Sequence, residues 1–378
     1  MSEKKNALLI SCFADWYKDR LKPVEEYLID NDYSVTCIVS DYNHIKKNRE
    51  EKTEDCLYVH VPRYKKNISI LRIYSHLKFG KEIKKYLRDR RPTLIYLIVP
   101  PNNTAAYCRR YKKNNPQTHL IVDIIDLWPE SMPLGRVKNT LPARIWRSFR
   151  DDALQISDFV FTECNLYQEK LKGVINHNKT ETLYLFKERS EEELILINEI
   201  INQQKTDGVI RFAYLGSMNN IIDIEGICSV IKSFMESGKE CEFHAIGDGE
   251  TRQKFEEAVK NTGCHSVFYG VIFDEIKKIN ILAPCDYAFN MMKDDVSVGL
   301  TIKSIDYLSY GLPLINNIKG DTAYFVKREN IGVNYTEGQN VDYSAVSSHR
   351  KIHEFYLNNF TKKAFVERLR SCVENLLT

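Results

Sequence analysis

The stretch Val298-Gly-Leu-Thr-Ile-Lys303-Ser-Ile-Asp306-Tyr-Leu-Ser-Tyr-Gly311-Leu-Pro313-Leu-Ile315 is typical of a loop, a short helix, a glycine stop and a buried strand. Gly311 and Pro313 end the predicted helix, and an apolar run of strand type follows them. Apolar residues at helical spacing predict the side of the helix that faces a core. These residues are Ile302, Ile305 and Leu308.

A loop that leads into a helix N-terminus presents free N–H groups and the positive end of the helix dipole, and both favour a phosphate. Gly299, Leu300 and Thr301 form this loop, and Lys303 adds a full positive charge. Asp306, one turn further on, can accept hydrogen bonds from sugar hydroxyls. The same stretch is compatible with an ordinary αβ unit in which Lys303 and Asp306 are surface residues.

Length and composition describe a folded protein of two domains. A chain of 378 residues is too long for one ordinary core, and its apolar and charged content is that of a globular protein. No apolar run reaches the roughly 18 residues of a membrane helix, and the first apolar run is too short for a secretory signal. The ten cysteines form no Cys-x-x-Cys pair and the histidines no ligand spacing. We therefore expect reduced thiols in the cytosol and no structural zinc.

Charge is distributed unevenly along the chain. The net charge is +3, but residues 1–186 carry about +9 and the remainder about −6. Much of the excess lies in Arg63–Arg91, which is either a solvated face or a surface for an anionic membrane or a pyrophosphate-bearing acceptor. No nucleic-acid-binding motif accompanies the charge, so no nucleic-acid partner is expected.

Short apolar segments alternate with helical ones, which predicts βαβ units and parallel sheets with ligands outside the carboxyl ends of the strands. The charged segment 187–209 is predicted to be a domain boundary with a helix. Residues 20–30 and Phe355–Leu377 have helical patterns. Predicted strands of the first half are Ala7–Cys12, Tyr33–Val39, Leu57–Val61, Thr93–Val99, His119–Ile125, Ser157–Thr162 and Thr182–Phe186, and those of the second half are Ile210–Leu215, Glu242–Ile246, Val267–Val271, Tyr287–Met291 and the strand at Leu314.

Five segments together resemble a known family, the bacterial glycosyltransferases of family four. The resemblance is strongest over residues 210–320, and each segment is weak evidence alone, whereas their joint order is specific. The segment Asp126-Leu-Trp128-Pro129-Glu130-Ser131 resembles the Asp-x-Trp-Pro-Glu-Ser segment of the branch that builds lipid-linked surface polysaccharides. The others are Tyr214–Ser217, Ala245–Gly249, Phe268–Gly270 followed by Asp286, and Lys303–Pro313.

The resemblance implies the GT-B fold, in which two Rossmann-like doubly wound α/β domains face a central cleft. It implies an acceptor-binding domain over 1–186, a nucleotide-sugar donor domain over 187–350, and a C-terminal helix over 351–378 that packs back toward the first domain. It also implies a metal-independent enzyme without a cofactor that transfers a sugar with retention at the anomeric carbon. The donor is expected to be UDP-linked and the acceptor to be polyprenyl-linked or another glycan. The enzyme would be cytoplasmic, at the inner face of the membrane.

Transfer from a nucleotide sugar requires the enzyme to hold a diphosphate and a ribose and to stabilise the leaving group. Lys303 is the candidate for the diphosphate, and Asp306 matches the acidic residue that holds the ribose in the family. The remaining donor candidates are loop residues: Gly216, Ser217 and Asn219 near phosphate or sugar, and Gly247, Asp248 and Gly249 near the nucleobase.

Asp126 is the leading catalytic candidate, because a carboxylate after an apolar strand can accept or orient the proton of an acceptor hydroxyl. Its alternative role is to cap the next segment. Glu130 is the second candidate and can instead hold the Trp-Pro turn, while Trp128 packs either a core or a sugar ring. Candidates on the acceptor side after the first strand are Asp15, Trp16 and Tyr17.

The sequence departs from the family pattern at three places. Val298 replaces an expected sugar-contacting glutamate, so Asp294 or Asp295 would have to substitute for it. Residues 216–225 contain no Lys or Arg, and 13–17 replace the usual glycine-rich loop. Asp30-Asn31-Asp32 has the metal-binding Asp-x-Asp pattern of another transferase architecture, but its position predicts a turn. Two alternatives remain open, a nucleotide-sugar epimerase of the same fold and a non-catalytic partner subunit.

Overall fold

The structure is a computed structural model. It describes residues 5–15, 17–66, 69–132, 135–203, 207–294, 298–337, 343 and 345–377. The chain divides into two compact units, one formed by Met1–Leu185 with Phe365–Thr378 and the other by Phe186–Ala364.

The first unit is built on a parallel sheet whose central strand, Leu94–Val99, is buried along its whole length. Six consecutive buried residues fit a sheet that helices cover on both faces. The strands are β1 (Asn6–Ile10), β2 (Ser34–Ser40), β3 (Tyr42–Asn43), β4 (Asn48–Arg49), β5 (Cys56–Val59), β6 (Leu94–Val99), β7 (His119–Ile124), β8 (Phe159–Thr162) and β9 (Thr180–Thr182). The order is β5-β2-β1-β6-β7-β8-β9, with β3 and β4 in a separate antiparallel pair.

Helices connect these strands. The second of them begins at an N-cap where the Ser69 hydroxyl accepts a hydrogen bond from the Arg72 amide at 3.2 Å. The helical segments are a π-helix (Tyr17–Leu21), α1 (Lys22–Asp30), α2 (Ile70–Arg90), α3 (Asn102–Asn114), a 3₁₀ turn (Gly135–Asn139), α4 (Leu141–Leu154), α5 (Asn165–Lys170) and a 3₁₀ turn (His177–Lys179). The predicted turn at Asp30-Asn31-Asp32 is confirmed, since α1 ends there and Asp32 has a φ of 65°.

The second unit has the same design. The predicted helix in 187–209 is confirmed as α6 (Glu191–Ile201), which starts with a capping box of Ser190 and Glu193. Its other elements are β10 (Ile210–Leu215), α7 (Ile224–Glu236), β11 (Cys241–Ile246), α8 (Arg252–Lys260), β12 (His265–Gly270), α9 (Glu275–Leu282), β13 (Tyr287–Asn290), α10 (Ile302–Ser309), β14 (Leu314–Asn316), α11 (Asp321–Glu329), β15 (Gly332–Asn334) and α12 (His349–Asn359). The parallel order β12-β11-β10-β13-β14-β15 reverses between β10 and β13.

The last helical pattern contains two helices instead of the one predicted over Phe355–Leu377. Helix α12 ends at Asn359, and α13 begins at Lys362. The Thr361 hydroxyl, directly before α13, accepts a hydrogen bond from the Ala364 amide at 3.3 Å. The interruption places Phe360 in a fully buried position against other aromatic rings. The apolar stripe of α13 packs in the first unit, where Lys5 donates to the Leu377 carbonyl at 2.7 Å.

Two further local predictions are wrong. The strand predicted over Thr182–Phe186 is β9, which ends at Thr182. Ile302 is 44% exposed, whereas Ile305 and Leu308 are buried as predicted. Ile302 is the first residue of α10 and projects from its outer side, so spacing alone assigned it to the wrong face.

All ten cysteines are free thiols and most are buried, as expected from their spacing. In the part of the chain that the structure describes, no helix has both the length and the apolarity needed to cross a bilayer.

One ion pair lies wholly inside the first unit. Both side chains of Arg20 and Asp123 have no exposed surface, and two hydrogen bonds of 2.6 and 2.7 Å join them. The Tyr96 hydroxyl donates to the same carboxylate at 2.7 Å, and Arg20 also donates to the Leu183 carbonyl at 2.6 Å. The pair therefore links the π-helix, two strands and the segment after β9.

We expect Asp123→Asn to lower the free energy of unfolding by about 3–5 kcal/mol, because it leaves a buried guanidinium without its counter-charge. Urea denaturation measures the change. The matched control is Asp89→Asn, which removes a carboxylate from the exposed pair with Arg88 and should leave the free energy of unfolding nearly unchanged. Equal effects of the two substitutions would contradict this interpretation.

Candidate active site

Two loops lie side by side at the carboxyl edge of the second sheet, after β10 and β11. Their backbones are joined by hydrogen bonds from the Met218 amide to the Asp248 carbonyl and from the Thr251 amide to the Met218 carbonyl, both 2.9 Å. A Cβ atom on Gly247 would lie 1.9 Å from the Gly216 carbonyl oxygen, and Gly247 has a φ of +140°. Only glycine fits there, so the close contact of the two loops is specified by the sequence.

The predicted loop before α10 is held in place from two sides. The Gly299 carbonyl accepts hydrogen bonds from the Thr322 amide at 2.9 Å and the Thr322 hydroxyl at 2.7 Å. Thr301 caps the helix by accepting from the Ser304 amide at 3.1 Å. Leu300, which lies between Gly299 and Thr301 in the sequence, is buried. Thr301 thus occupies the Ser304 amide, whereas the amides of Ile302 and Lys303 have no acceptor within the helix and can bind a ligand.

A row of three asparagines supports this helix N-terminus, and of these Asn290 and Asn316 are buried while Asn334 is exposed. Asn290, Asn316 and Asn334 end three adjacent strands in register. Their side-chain amides form two hydrogen bonds of 2.8 Å across the sheet, and the Thr301 hydroxyl donates to Asn290 at 3.4 Å. The sequence interpretation missed this row, although a polar residue that ends each of three strands is visible in the sequence.

Lys303 extends along this edge. Its Cδ would be 3.8 Å from a Cβ atom on Gly216, and its Nζ lies 5.3 Å from the centre of the Tyr214 ring. Burial lowers the pKa of Lys303 to about 8. Among the described residues no carboxylate lies within ion-pair distance of its ammonium. A lysine in this state keeps a charge near neutral pH without a protein counter-charge.

Asp306 lies one turn further along α10 and is engaged by the protein. Its Oδ1 accepts a hydrogen bond from Arg189 at 2.5 Å, and the Arg189 side chain has no exposed surface. Burial raises the pKa of Asp306, and the charges of Arg189 and Lys187 act against that rise. Arg189 also donates to Glu275 at 2.7 Å, so it joins α9 to α10.

The remaining donor-side candidates form the rim of the two loops. Ser217 is exposed, and its carbonyl accepts from the Tyr214 hydroxyl at 3.0 Å. The Asn219 side chain accepts from the Ile221 amide at 3.2 Å. Asp248 is more than half exposed and accepts from the Gly249 amide at 2.8 Å. These contacts organise the loops, and only part of each side chain remains for a ligand.

The position that lacks the expected carboxylate lies beside a small cavity lined by both Val298 and Asp294. The Asp294 side chain is 95% exposed and forms an ion pair with Lys319 at 3.4 Å. Asp295 lies outside the described residues.

In the first unit, Asp126 follows β7 as predicted and is held by two donors. The Trp128 indole N–H donates to its Oδ2 at 2.5 Å, and the Ser131 hydroxyl donates to its Oδ1. Burial raises the pKa of Asp126, although these hydrogen bonds oppose the rise. The carboxylate therefore organises the turn and is also more basic than an ordinary aspartate.

Glu130 forms a bidentate ion pair with Arg150, with distances of 2.9 and 3.0 Å, and a further one with Arg147 at 2.9 Å. Burial alone would raise the pKa of Glu130, but Arg150 outweighs burial and lowers it. Arg150 also donates to the Trp128 carbonyl at 2.8 Å. Glu130 thus holds the Trp-Pro turn through arginine.

Trp128 is buried in a cluster of aromatic and cationic side chains. Its ring stacks on His76 at 5.7 Å, and the Arg72 guanidinium lies 4.4 Å from its centre. Burial lowers the pKa of His76 to about 3, so this imidazole is neutral at physiological pH. Arg72 and His76 were missed by the sequence interpretation, because they come from α2 and no local motif marks them.

Asp15 pairs with a residue that was also missed. Its Oδ2 lies 2.9 Å from Nδ1 of His44, which follows β3. The His44 ring packs on Phe13 at 4.8 Å. Of the other acceptor-side candidates, Tyr17 begins the π-helix, while Trp16 and the Tyr17 side chain lie outside the described part of the structure.

Among the described residues, no cluster of three or more His, Cys, Asp or Glu side chains has the arrangement of a metal site.

We expect Lys303→Met to raise the free energy of unfolding at pH 7 by on the order of 1–3 kcal/mol, because it removes a charge whose burial is unfavourable. Between pH 8 and the ordinary lysine pKa of 10.5, the unfolded chain keeps a proton that the native chain has lost. Wild-type stability therefore rises through that window, and the advantage of the variant shrinks. Urea denaturation at pH 7 and pH 10 measures it.

Lys239→Met is the control, because Lys239 is exposed before β11 at the other edge of the sheet. It should change stability little at either pH. A loss of stability in Lys303→Met at pH 7 would contradict the assignment.

No protein-family model matches the sequence, and no match was found among curated proteins. Solved structures do match over almost the whole chain. The lipopolysaccharide outer core galactosyltransferase WaaB in its apo form is 13% identical, with 98% of this chain and 99% of that one covered and a TM-score of 0.68. A sucrose-phosphate synthase from Thermosynechococcus elongatus is 13% identical over the same shares, with a TM-score of 0.65.

A UDP-N-acetylglucosamine 2-epimerase from Listeria monocytogenes, described as putative, is 10% identical, with 100% of this chain and 98% of that one covered and a TM-score of 0.53. At these identities the comparisons concern the fold. They match the two parallel sheets described above and confirm the predicted class. The chain has the GT-B fold of two Rossmann-like doubly wound units.

Proposed function

We propose that the protein is a glycosyltransferase that moves a sugar from a nucleotide-sugar donor to a glycan or lipid-linked acceptor. The observation that carries the proposal is Lys303, which lies at the N-terminus of α10 and whose ammonium has no carboxylate within ion-pair distance in the part of the chain that the structure describes. The group that leaves a nucleotide sugar is a diphosphate that gains negative charge as the bond breaks. A fixed cation and a helix dipole at that position stabilise the charge in the transition state.

The other donor-side residues are assigned around the diphosphate. Gly216 has no side chain, so its backbone leaves room for a phosphate next to Lys303. Gly299, Leu300 and Thr301 supply the backbone of the loop before α10, and Ser217 and Asn219 face the phosphate or the sugar. Gly247, Asp248 and Gly249 line the side of the nucleobase, for which uridine is the first choice. Asp306 would bind the ribose through Oδ2, because Arg189 engages Oδ1.

On the acceptor side we propose Asp126 as the group that accepts or orients the proton of the acceptor hydroxyl. Trp128, Asp15, Trp16 and Tyr17 would contribute to acceptor binding. Glu130, the second catalytic candidate, is better suited to hold the turn, because its pKa is lowered and both of its oxygens bind Arg150. His44 is an alternative proton acceptor, since Asp15 fixes its Nδ1 and orients the opposite nitrogen.

The finer parts of the proposal follow from the resemblance in the sequence. They are retention at the anomeric carbon, a polyprenyl-linked acceptor, a role in a surface polysaccharide such as a capsule, and work at the cytoplasmic face of the membrane. WaaB, the galactosyltransferase with a similar fold, is described as acting on lipopolysaccharide, which supports this choice.

Two alternatives to the glycosyltransferase predict different experimental results. A nucleotide-sugar epimerase is favoured by the epimerase neighbour and changes the donor without an acceptor. A non-catalytic partner subunit is favoured by Val298 and by the absence of basic residues in 216–225, and it predicts weak nucleotide binding. Incubation of the protein with a donor alone, followed by analysis of the sugar, separates epimerisation from transfer.

For the donor site, we expect one nucleoside diphosphate in a panel to stabilise the wild type by about 2.7 kcal/mol at 100 times its Kd. The gain should be largely lost in Lys303→Met and kept in Lys239→Met. Thermal unfolding with and without UDP, GDP, ADP and CDP measures it. No stabilisation by any of these at millimolar concentration would refute the transferase proposal.

For the acceptor site, Asp126→Asn should reduce kcat by about 10²–10⁴-fold while leaving nucleotide binding unchanged. Because burial raises the pKa of Asp126, this carboxylate takes up a proton at a higher pH than an ordinary aspartate does. Wild-type activity should therefore decrease as the pH is lowered, with a midpoint above the ordinary pKa range of aspartate. The comparison is His44→Gln, measured with the same donor and acceptor. Full activity in Asp126→Asn together with loss in His44→Gln would transfer the role to the histidine.

A further inference from the structure

Arg189 lies inside the second unit, two residues before α6, and its side chain has no exposed surface. A guanidinium has five N–H donors and keeps its positive charge at any physiological pH. Burial of such a group is unfavourable unless carboxylates and hydrogen bonds compensate for it. The place of Arg189 in the fold therefore depends on the partners that it binds.

The guanidinium of Arg189 connects three helices of the second unit. Its two terminal nitrogens donate to Asp306 of α10 at 2.5 Å and to Glu275 of α9 at 2.7 Å. Its Nε donates to the Ser309 hydroxyl at 3.1 Å, and Glu193 of α6 lies 3.7 Å from Nη1. The side chain cannot turn away from Asp306 without losing these other contacts. The direction of the bond to Asp306 is therefore fixed by the whole network.

The two carboxylate oxygens of Asp306 differ in their surroundings. Oδ1 accepts from Arg189 and lies 3.9 Å from the ammonium of Lys187. None of the hydrogen bonds that the described residues form ends at Oδ2, and the Asp306 side chain keeps 10% of its surface exposed. One oxygen is thus bound to the protein, and the other is available to a ligand.

Arg189 also favours the ionised form of Asp306. Burial raises the pKa of Asp306, and Arg189 is the strongest of the charges that oppose this rise, followed by Lys187. Glu275 acts in the opposite direction. The other ionisable groups around Asp306 are Lys278 of α9, Tyr307 and Tyr310 of α10, and Tyr356 of α12. Because an ionised carboxylate accepts stronger hydrogen bonds than a neutral acid, Arg189 makes Oδ2 a better acceptor.

We propose that Arg189 is a positioning residue for the donor, which fixes Oδ2 of Asp306 where the ribose hydroxyls of a nucleotide sugar donate to it. The inference rests on the proposed function, because it requires a nucleotide beside Lys303. It adds that a residue before α6, outside the loops assigned to the donor, determines the preference for a ribonucleotide. Arg189 acts only through Asp306 in this assignment.

The competing interpretation is that Arg189 only joins α9 to α10. Its loss would then weaken the binding of every nucleotide to the same degree, whether or not the sugar has hydroxyl groups. A positioning role predicts a loss that is confined to nucleotides with ribose hydroxyls. The two interpretations therefore differ in the ratio of two affinities.

The experiment measures, by calorimetry on the full chain, the Kd values of UDP, GDP, ADP and CDP and of their 2′,3′-dideoxy analogues. The wild type should bind at least one ribonucleotide about 10–100-fold more tightly than its analogue, because hydrogen bonds to a charged acceptor contribute by factors of this order. In Arg189→Met this ratio should fall below about threefold, since Oδ2 is no longer held or kept ionised.

Glu275→Gln is the matched control, because it removes the other carboxylate that Arg189 binds at short distance and leaves the pair with Asp306 in place. It should keep a ratio close to that of the wild type. Asp306→Asn should lower the ratio as Arg189→Met does, and the double variant should lower it no further. Arg189→Lys keeps the charge with fewer donors and should give an intermediate ratio, which tests the inference even if Arg189→Met does not fold.

Far-UV circular dichroism shows whether each variant is folded. A ratio that stays high in Arg189→Met and Arg189→Lys, or an affinity loss that is equal for the ribonucleotide and its analogue, would overturn the inference while leaving the donor site intact. An equal fall of the ratio in Glu275→Gln would also overturn it, since the integrity of the network would then be the cause. If none of the four diphosphates binds to the wild type, the proposed function itself fails, and this inference fails with it.

Discussion

Parallel strands must all enter a sheet from one edge and leave it at the other, so the connecting loops with free polar groups gather at a single edge. In this chain the constraint acts twice. In the second unit it places the loops after β10 and β11 beside the N-terminus of α10, although Gly216 and Gly247 precede Ile302 by 86 and 55 residues in sequence. In the first unit it brings Asp126, Asp15 and the start of α2 to one edge.

The edge of the second unit is distinguished by the charge of Lys303, whose burial is energetically unfavourable. Lys303 is buried enough to lower its pKa to about 8, and the described residues offer it no carboxylate. Arg189 and Asp306, by contrast, neutralise each other inside the same unit at 2.5 Å. Among the described residues no carboxylate lies within ion-pair distance of the Lys303 ammonium, so we infer that this charge is available to an anion. Because Asp306 already has a partner in Arg189, the proposed donor site depends on Lys303 more than on Asp306.

Much of the fold could be predicted from the sequence, because it depends on local patterns. Continuous apolar runs marked the central strands, and Thr301, Gly311 and Pro313 marked the limits of α10. The Gly247 loop could be located from its turn residues, but its contact with Gly216 needed the structure. Where spacing was the only guide, as for Ile302, the assigned face was wrong, because a first helical residue can point outward.

The polar and aromatic partnerships could not be predicted in the same way, since each joins distant segments. Arg189 lies in the linker and meets Asp306 across 117 residues. For Trp128 the sequence left open whether it packs a core or a sugar ring, and its contacts with the His76 ring and the Arg72 guanidinium depend on how α2 packs.

The measurement that tests the central claim most directly is the titration of Lys303 itself. Reductive ¹³C-methylation labels the lysines, and comparison with Lys303→Met assigns the resonance by NMR. The free protein should give a pKa of about 8, and saturation with the nucleoside diphosphate should raise it, because a bound diphosphate supplies the missing negative charge. A pKa that is ordinary in the free protein, or that does not move when the diphosphate binds, would contradict the account.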